Sequence, residues 1–177
     1  PLCIIYRTFT VAQNLLCAYT EYNDSVAERI AYTMKILVST CLLGVHCKYS
    51  GGSNHVSGMA EALQAAGHTL VPVCPEVYGG LPTPRTPAER VGEKVLAKDG
   101  RDVTAQYQKG AAAALQLAHL TGCTAAVLKA NSPSCGCGTI YDGTFSGRKI
   151  CGNGVTPEVL LAAGLAIYNE ETYTELL

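Results

Sequence analysis

VPVCPEVYGGLPTPR, Val71 to Arg85, sets a short apolar run directly before a thiol, a carboxylate and a proline-rich loop. The run begins at Thr69 and reads as a buried strand, because it is short, apolar and bounded by Gly/Pro punctuation. Cys74 stands where that strand ends, and Pro75, which has no N–H to give to a ladder, stops it. Glu76 follows, then Gly79-Gly80 and the prolines Pro82, Pro84 and Pro87. A thiol and a carboxylate are thus presented together on a stiff loop at a strand's C-terminal end, the edge at which open α/β sheets bind ligands. Arg85 closes the stretch, placed to pair with Glu76 or to meet an anionic substrate.

The same pattern recurs on either side. Upstream, Ile36–Ser39 reads as a first strand, Thr40–Gly44 turns away from it, and Ser53 or Asn54 caps a helix through about Ala66 with Gly67 at its C′ position. Downstream, Pro75–Gly100 reads as one long irregular loop, a length that in compact domains usually carries function. Asp102–Thr104 opens the longest helix, through His119 or Leu120, with Gly110 and the Ala111–Ala114 run packed close against a sheet and Gly122 at its end. Thr124–Leu128 reads as a third strand, residues 129–154 as a second long, Gly-rich loop. Thr156 caps a short helix with Pro157 at its first position, Gly164 ends it, and Leu165–Tyr168 is a fourth strand. Strands alternating with helices imply an α/β fold: one Rossmann-like domain, a three-layer sandwich around a small, mainly parallel sheet with right-handed crossovers.

Residues 1–33 read differently. The segment begins with Pro1 and shows no clean helical stripe, although Ser25–Glu28 matches a capping box for a short helix through Tyr32. Met34-Lys35 leads straight into the first strand. We therefore expect residues 1–33 to be an N-terminal extension and residues 34–177 to form one α/β domain; an ordinary N-terminal helix packed on the domain is the alternative.

Composition narrows the function. Charged residues make up only 15% of the 177 against 48% hydrophobic, which excludes a disordered class. With a net charge of −1 no broad basic surface announces nucleic acid, which leaves room for a local basic site for one nucleotide, and no apolar run reaches membrane-spanning length. Nine cysteines, an odd count without a secretory start, fit a metal or cluster protein of the reducing cytosol better than a disulfide scaffold. Cys3, Cys17 and Cys123 read as small buried residues.

Three loops leave the ends of three expected parallel strands. The first carries Cys41, the second Cys74 and Glu76, the third Ser132, Ser134, Cys135 and Cys137. Parallel strands put these ends on one edge, so Cys41, Cys74 and Cys135 can converge on zinc or an iron–sulfur cluster. The absence of paired CxxC knuckles leans toward the cluster, and three thiolates leave a fourth position open to a substrate atom. Glu76 would then stand close enough to activate water, and Ser132 to donate a hydrogen bond or relay a proton. Cys47, Cys137 and Cys151 lie in the same loops as alternative ligands. Lys48, Arg90 and Lys129 are the other nearby cations, and Tyr49, Tyr78 and Tyr141 offer rings for a base.

Four separated blocks carry a resemblance: STCLLGVHCKYSGG, VPVCPEVYGGLPTPRTPAE, LKANSPSCGCGTIYDGTFSG and GNGVTPEVLLAAGLAIYNEE. In these, and in their order along residues 34–177, the chain resembles the bacterial thiouracil desulfurase family. The resemblance implies a 4Fe–4S cluster held by Cys41, Cys74 and Cys135 with one iron open, and catalytic roles for Glu76 and Ser132. It implies a desulfurase in which the thiocarbonyl sulfur binds the open iron and water attacks the carbon, with no net redox change. Cys137, Cys151 and Asn153 depart from the family's pattern. Relatives acting on thiouridine in tRNA usually carry a further domain. The expected partner here is therefore a small thiolated pyrimidine, as base, nucleoside or nucleotide. The competing expectation is a non-catalytic iron–sulfur or zinc-binding module or a sulfur carrier, which would need neither Glu76 nor Ser132.

Overall fold

The computed structural model describes residues 33–177; the capping box at Ser25 and the helix expected before Thr33 lie outside the described residues. In chain order the elements are β1 (Lys35–Ser39), α1 (Met59–Ala65), β2 (Thr69–Val73), α2 (Pro75–Tyr78), β3 (Ala88–Val91), β4 (Lys94–Ala97), α3 (Thr104–Thr121), β5 (Ala125–Leu128), β6 (Thr139–Tyr141), β7 (Lys149–Cys151), α4 (Val155–Ala162) and β8 (Ala166–Asn169). Short 3-10 turns cover Thr40–Leu43 and Tyr173–Leu176.

Four strands form one parallel sheet in the order β2-β1-β5-β8. The central pair, β1 and β5, is apolar at nearly every position because both of its faces are covered. Ile36, Val38, Ala125 and Val127 meet Met59 and Leu63 of α1 and Leu176 on one side. Leu37, Ala126 and Leu128 meet Ala114 and Ala118 of α3 and Leu160 of α4 on the other. Fully burying an aliphatic side chain of this size contributes about 1.5–3 kcal/mol, so these two clusters hold the three layers together. The register pairs Ser39 with Val73 and Leu128 with Asn169, which brings the strands' C-terminal ends to one edge. The chain runs outward from β1 to β2 and then, in the opposite direction, from β5 to β8. The switch point lies between β1 and β5, where doubly wound sheets open a ligand crevice.

Both long loops contain secondary structure that was not expected from the sequence. Within residues 75–100, β3 and β4 pair antiparallel around Gly92, whose φ is +61°. Within residues 129–154, β6 pairs with β7, Thr139 opposite Cys151. These strands are only three or four residues long, too short to show the alternating apolar pattern that would have marked them. Two helix starts also differ. Helix α1 begins at Met59 behind Gly58, whose φ is +78°, past both Ser53 and Asn54. Helix α4 begins at Val155, and its first amides are satisfied by backbone rather than by Thr156: Val155 N–H donates to the Pro133 carbonyl at 3.1 Å and Thr156 N–H to the Ser134 carbonyl at 2.9 Å. Gly110 packs on α2 instead of the sheet; a Cβ there would stand 2.0 Å from the Pro75 carbonyl oxygen.

Candidate active site

Each strand end delivers its functional group by a different local device. After β1 the chain tightens into the 3-10 turn, which places Cys41 half-buried at the crevice. Asn54 holds it twice: its N–H donates to the Cys41 carbonyl at 2.9 Å and its side-chain amide to the Cys41 sulfur at 3.5 Å. After β2, Cys74 is the N-cap of α2, with Pro75 at the first helical position, where a missing N–H costs nothing. That single turn carries Glu76 round toward the same crevice. After β5, Lys129 N–H donates to the Ser39 hydroxyl at 3.0 Å, and Glu170, just past β8, pairs with the Lys129 ammonium and accepts the Ala130 N–H at 2.8 Å. The loop is thereby tied to its neighbouring strands before it turns back with Cys135.

The turn that presents Cys135 is built around Ser132. Its hydroxyl oxygen accepts the N–H of Ser134 at 3.1 Å and of Cys135 at 3.2 Å. The first turn of α4 then fixes the carbonyls of Pro133 and Ser134 from behind. Gly154 permits this approach, since a Cβ there would meet the Ser134 carbonyl at 2.7 Å.

These elements surround a cleft of about 450 Å³ whose walls include Cys41, Cys74, Glu76, Ser132 and Cys135, so all five residues singled out in the sequence meet there. Of the three alternative ligands, only Cys47 joins them. It is buried, and the Cys74 thiol points to its carbonyl at 3.9 Å. Cys137 and Cys151 line no part of the cleft. Arg85 pairs with Glu76, Nε to Oε2 at 2.6 Å, and is nearly buried. Its remaining donors reach the carbonyls of Cys47 at 3.0 Å and Pro82 at 3.1 Å. One guanidinium thus ties the Cys47 loop, the Pro82 turn and the Glu76 carboxylate into a single unit. Arg90 is engaged elsewhere, with Glu158 at 2.8 Å. Tyr49 and Tyr141 line the cleft, whereas Tyr78 does not.

Burial governs the thiols. It pushes the Cys47 pKa up to about 12, with the neighbouring Cys74 and Cys41 adding to the effect. Burial likewise raises Cys135 and Cys41, the latter offset in part by the Asn54 amide. Thiols kept neutral by burial become thiolates when a metal cation compensates their charge. Tyr107 on α3, also raised by burial and by Glu76, lines the same cleft. Sequence reasoning missed Tyr107, Phe145 and Glu89, which reach the cleft from a distant helix and from the two hairpins. Only their tertiary placement reveals them.

In sequence and in fold, the chain is similar to known proteins of one family. The sequence profile of the 2-thiouracil desulfurase family matches residues 36–172. The uncharacterized protein YbbK of Bacillus subtilis (strain 168) is 41% identical over 155 residues, spanning 80% of this chain and 99% of that protein. The solved structure of the 4Fe–4S-dependent thiouracil desulfidase TudS superposes with a TM-score of 0.76 at 47% identity, covering 81% of this chain and 95% of that one. With this profile, these identities and this fold, the chain belongs to the 2-thiouracil desulfurase family of enzymes.

Proposed function

We propose that the chain is a 4Fe–4S-dependent desulfurase that replaces the sulfur of a small thiolated pyrimidine with oxygen. Its substrate is 2-thiouracil or a related nucleoside or nucleotide, and it works in the cytosol, where its thiols stay reduced. The observation that carries this reading is the meeting of Cys41, Cys74 and Cys135 at one cleft with Glu76 beside them. Among the described residues, no three His, Cys, Asp or Glu side chains gather around a point where one metal ion would sit. The three thiols lie on three separate strand ends around the cleft, without the paired CxxC knuckles usual in structural zinc sites. Cys41, Cys74 and Cys135 would hold the cluster.

Bound by three thiolates, such a cluster supplies one open iron, a Lewis acid that polarises the thiocarbonyl. The chain's own groups do the rest. Glu76 accepts a proton from the attacking water, whose oxygen ends on the ring carbon. Arg85 holds that carboxylate by one oxygen and fixes its direction. Ser132 shapes the Cys135 turn with its oxygen and keeps its O–H proton to donate into the cleft. The sulfur leaves as sulfide with the protons that water contributed, and no electrons change hands.

The test is to give the anaerobically reconstituted protein 2-thiouracil without any reductant. Uracil and sulfide are expected in equal amounts. A protein with a full cluster and no turnover would instead be a cluster-binding module or sulfur carrier.

A further inference from the structure

Phe145 has a backbone φ of +57°, in the left-handed region where a bulky side chain is an outlier. Such conformations persist only where the surroundings impose them, and they collect at functional sites. Here the imposing group is a buried carboxylate. Glu89 of β3 is 8% exposed, and its Oε2 accepts the N–H of Gly143 at 2.9 Å and of Phe145 at 3.0 Å. Among the described residues, no Lys or Arg pairs with it. Asp142 fixes the other side of the loop by accepting the N–H of Thr144 at 3.0 Å and its hydroxyl at 2.6 Å. Gly143 sits so close to β3 that a Cβ would stand 2.5 Å from Val91 Cγ2.

Burying a carboxylate without a cation is costly, and what this one secures is the backbone of the loop that carries Phe145. The Phe145 ring is not part of the core: it belongs to none of the three apolar clusters, yet it lines the cleft of Cys41, Cys74 and Glu76. Thiolate, carboxylate and hydroxyl all address a C=S group, and none of them distinguishes a flat heteroaromatic from any other thiocarbonyl. An aromatic face does, because a pyrimidine stacks on it.

We propose that Phe145 is the ring on which the substrate's pyrimidine stacks, and that Glu89 is the positioning residue that keeps it at the cleft. The inference rests on the desulfurase reading for the identity of its ligand.

The experiment compares wild-type, F145A, F145L and F145Y proteins, each carrying its cluster, in equilibrium binding of uracil and in KM and kcat for 2-thiouracil. F145A and F145L should weaken uracil binding and raise KM by about 5- to 100-fold, with kcat changed far less and iron content unchanged. F145Y should bind more tightly than F145L. E89A should weaken binding in the same direction, and adding it to F145A should cost little more, because the two act through one ring. If E89A does not fold, the Phe145 series decides alone. Wild-type affinity in F145L would overturn the proposal, as would a loss of kcat together with iron. The desulfurase reading fails separately: a wild-type protein that binds uracil but releases no sulfide from 2-thiouracil would leave stacking intact, and one that turns over while F145L binds normally would leave only the desulfurase.

Discussion

In the proposed reaction Glu76 is both a partner of Arg85 and the base. Its position two residues past Cys74, with Pro75 between them, sets it in the same cleft as Cys41, Cys74 and Cys135. Replacing it with Gln keeps its shape and removes its ability to take a proton. Glu76→Gln should therefore retain iron and sulfide while losing about 10²–10⁴-fold in rate. Full activity in that variant would leave the thiol-held cofactor as the whole catalyst, and failure to assemble a cluster would make Glu76 structural. Arg85 adds a second expectation. Lys cannot reproduce a guanidinium that reaches Glu76, Cys47 and Pro82 at once. Arg85→Lys should lower kcat more than it raises KM; a change in KM alone would assign Arg85 to substrate binding. The thiols themselves set a pH limit on the cluster-free protein. Cys47 is raised from 9.0 to about 12, so the stability tied to its neutral form is complete below pH 9 and is lost as pH rises through that higher value. Thermal melts of cluster-free protein should fall progressively above pH 9, and less so in Cys47→Ala. Equal losses in the two proteins would show that Cys47 is not the group involved.

At the level of elements, the site depends on helices and turns that touch at glycines. Gly110 on α3 receives the Pro75 carbonyl at a distance that no Cβ tolerates. Gly110→Ala should cost about 1–3 kcal/mol in denaturant unfolding. Because Pro75 lies between Cys74 and Glu76, it should also reduce cluster content; a destabilised variant with a normal iron count would uncouple that packing from the site. Much at this level was legible in the sequence. Thr69–Val73 is a strand as expected, and the other three parallel strands are displaced by no more than a residue at either end, because apolar runs bounded by Gly, Pro and Cys are buried on both faces. The hairpins were not legible. Ala88–Val91 and Lys94–Ala97 are only four residues each, and Glu89 faces inward for the backbone of another loop. No pattern local to the chain encodes that partnership. Asn54 reads in sequence as a helix cap and is in fact a holder of Cys41, for the same reason: its partner is thirteen residues away.

Across the whole molecule, the order β2-β1-β5-β8 explains why residues as distant as Cys41, Cys74 and Cys135 share one cleft. Alternating strands and helices mark that edge in the sequence itself, and the resemblance of four ordered blocks points to the same five residues. Neither could place Phe145, which depends on a hairpin crossing to the cleft. We propose that residues 34–177 suffice for the function. The family profile spans 36–172, and YbbK is matched over 99% of its own length by 80% of this chain. A chain starting at Met34 should assemble the cluster and turn over like the full protein; an insoluble or cluster-free product would make residues 1–33 part of the working fold. The central claim is that three strand-end thiols hold an iron–sulfur cluster, and iron and acid-labile sulfide counts on anaerobically reconstituted protein test it most directly. The account predicts about four of each per chain, lost in each of Cys41→Ala, Cys74→Ala and Cys135→Ala and kept in Cys137→Ala and Cys151→Ala. Stoichiometric zinc without sulfide, or a full cluster in any of the first three variants, would contradict it.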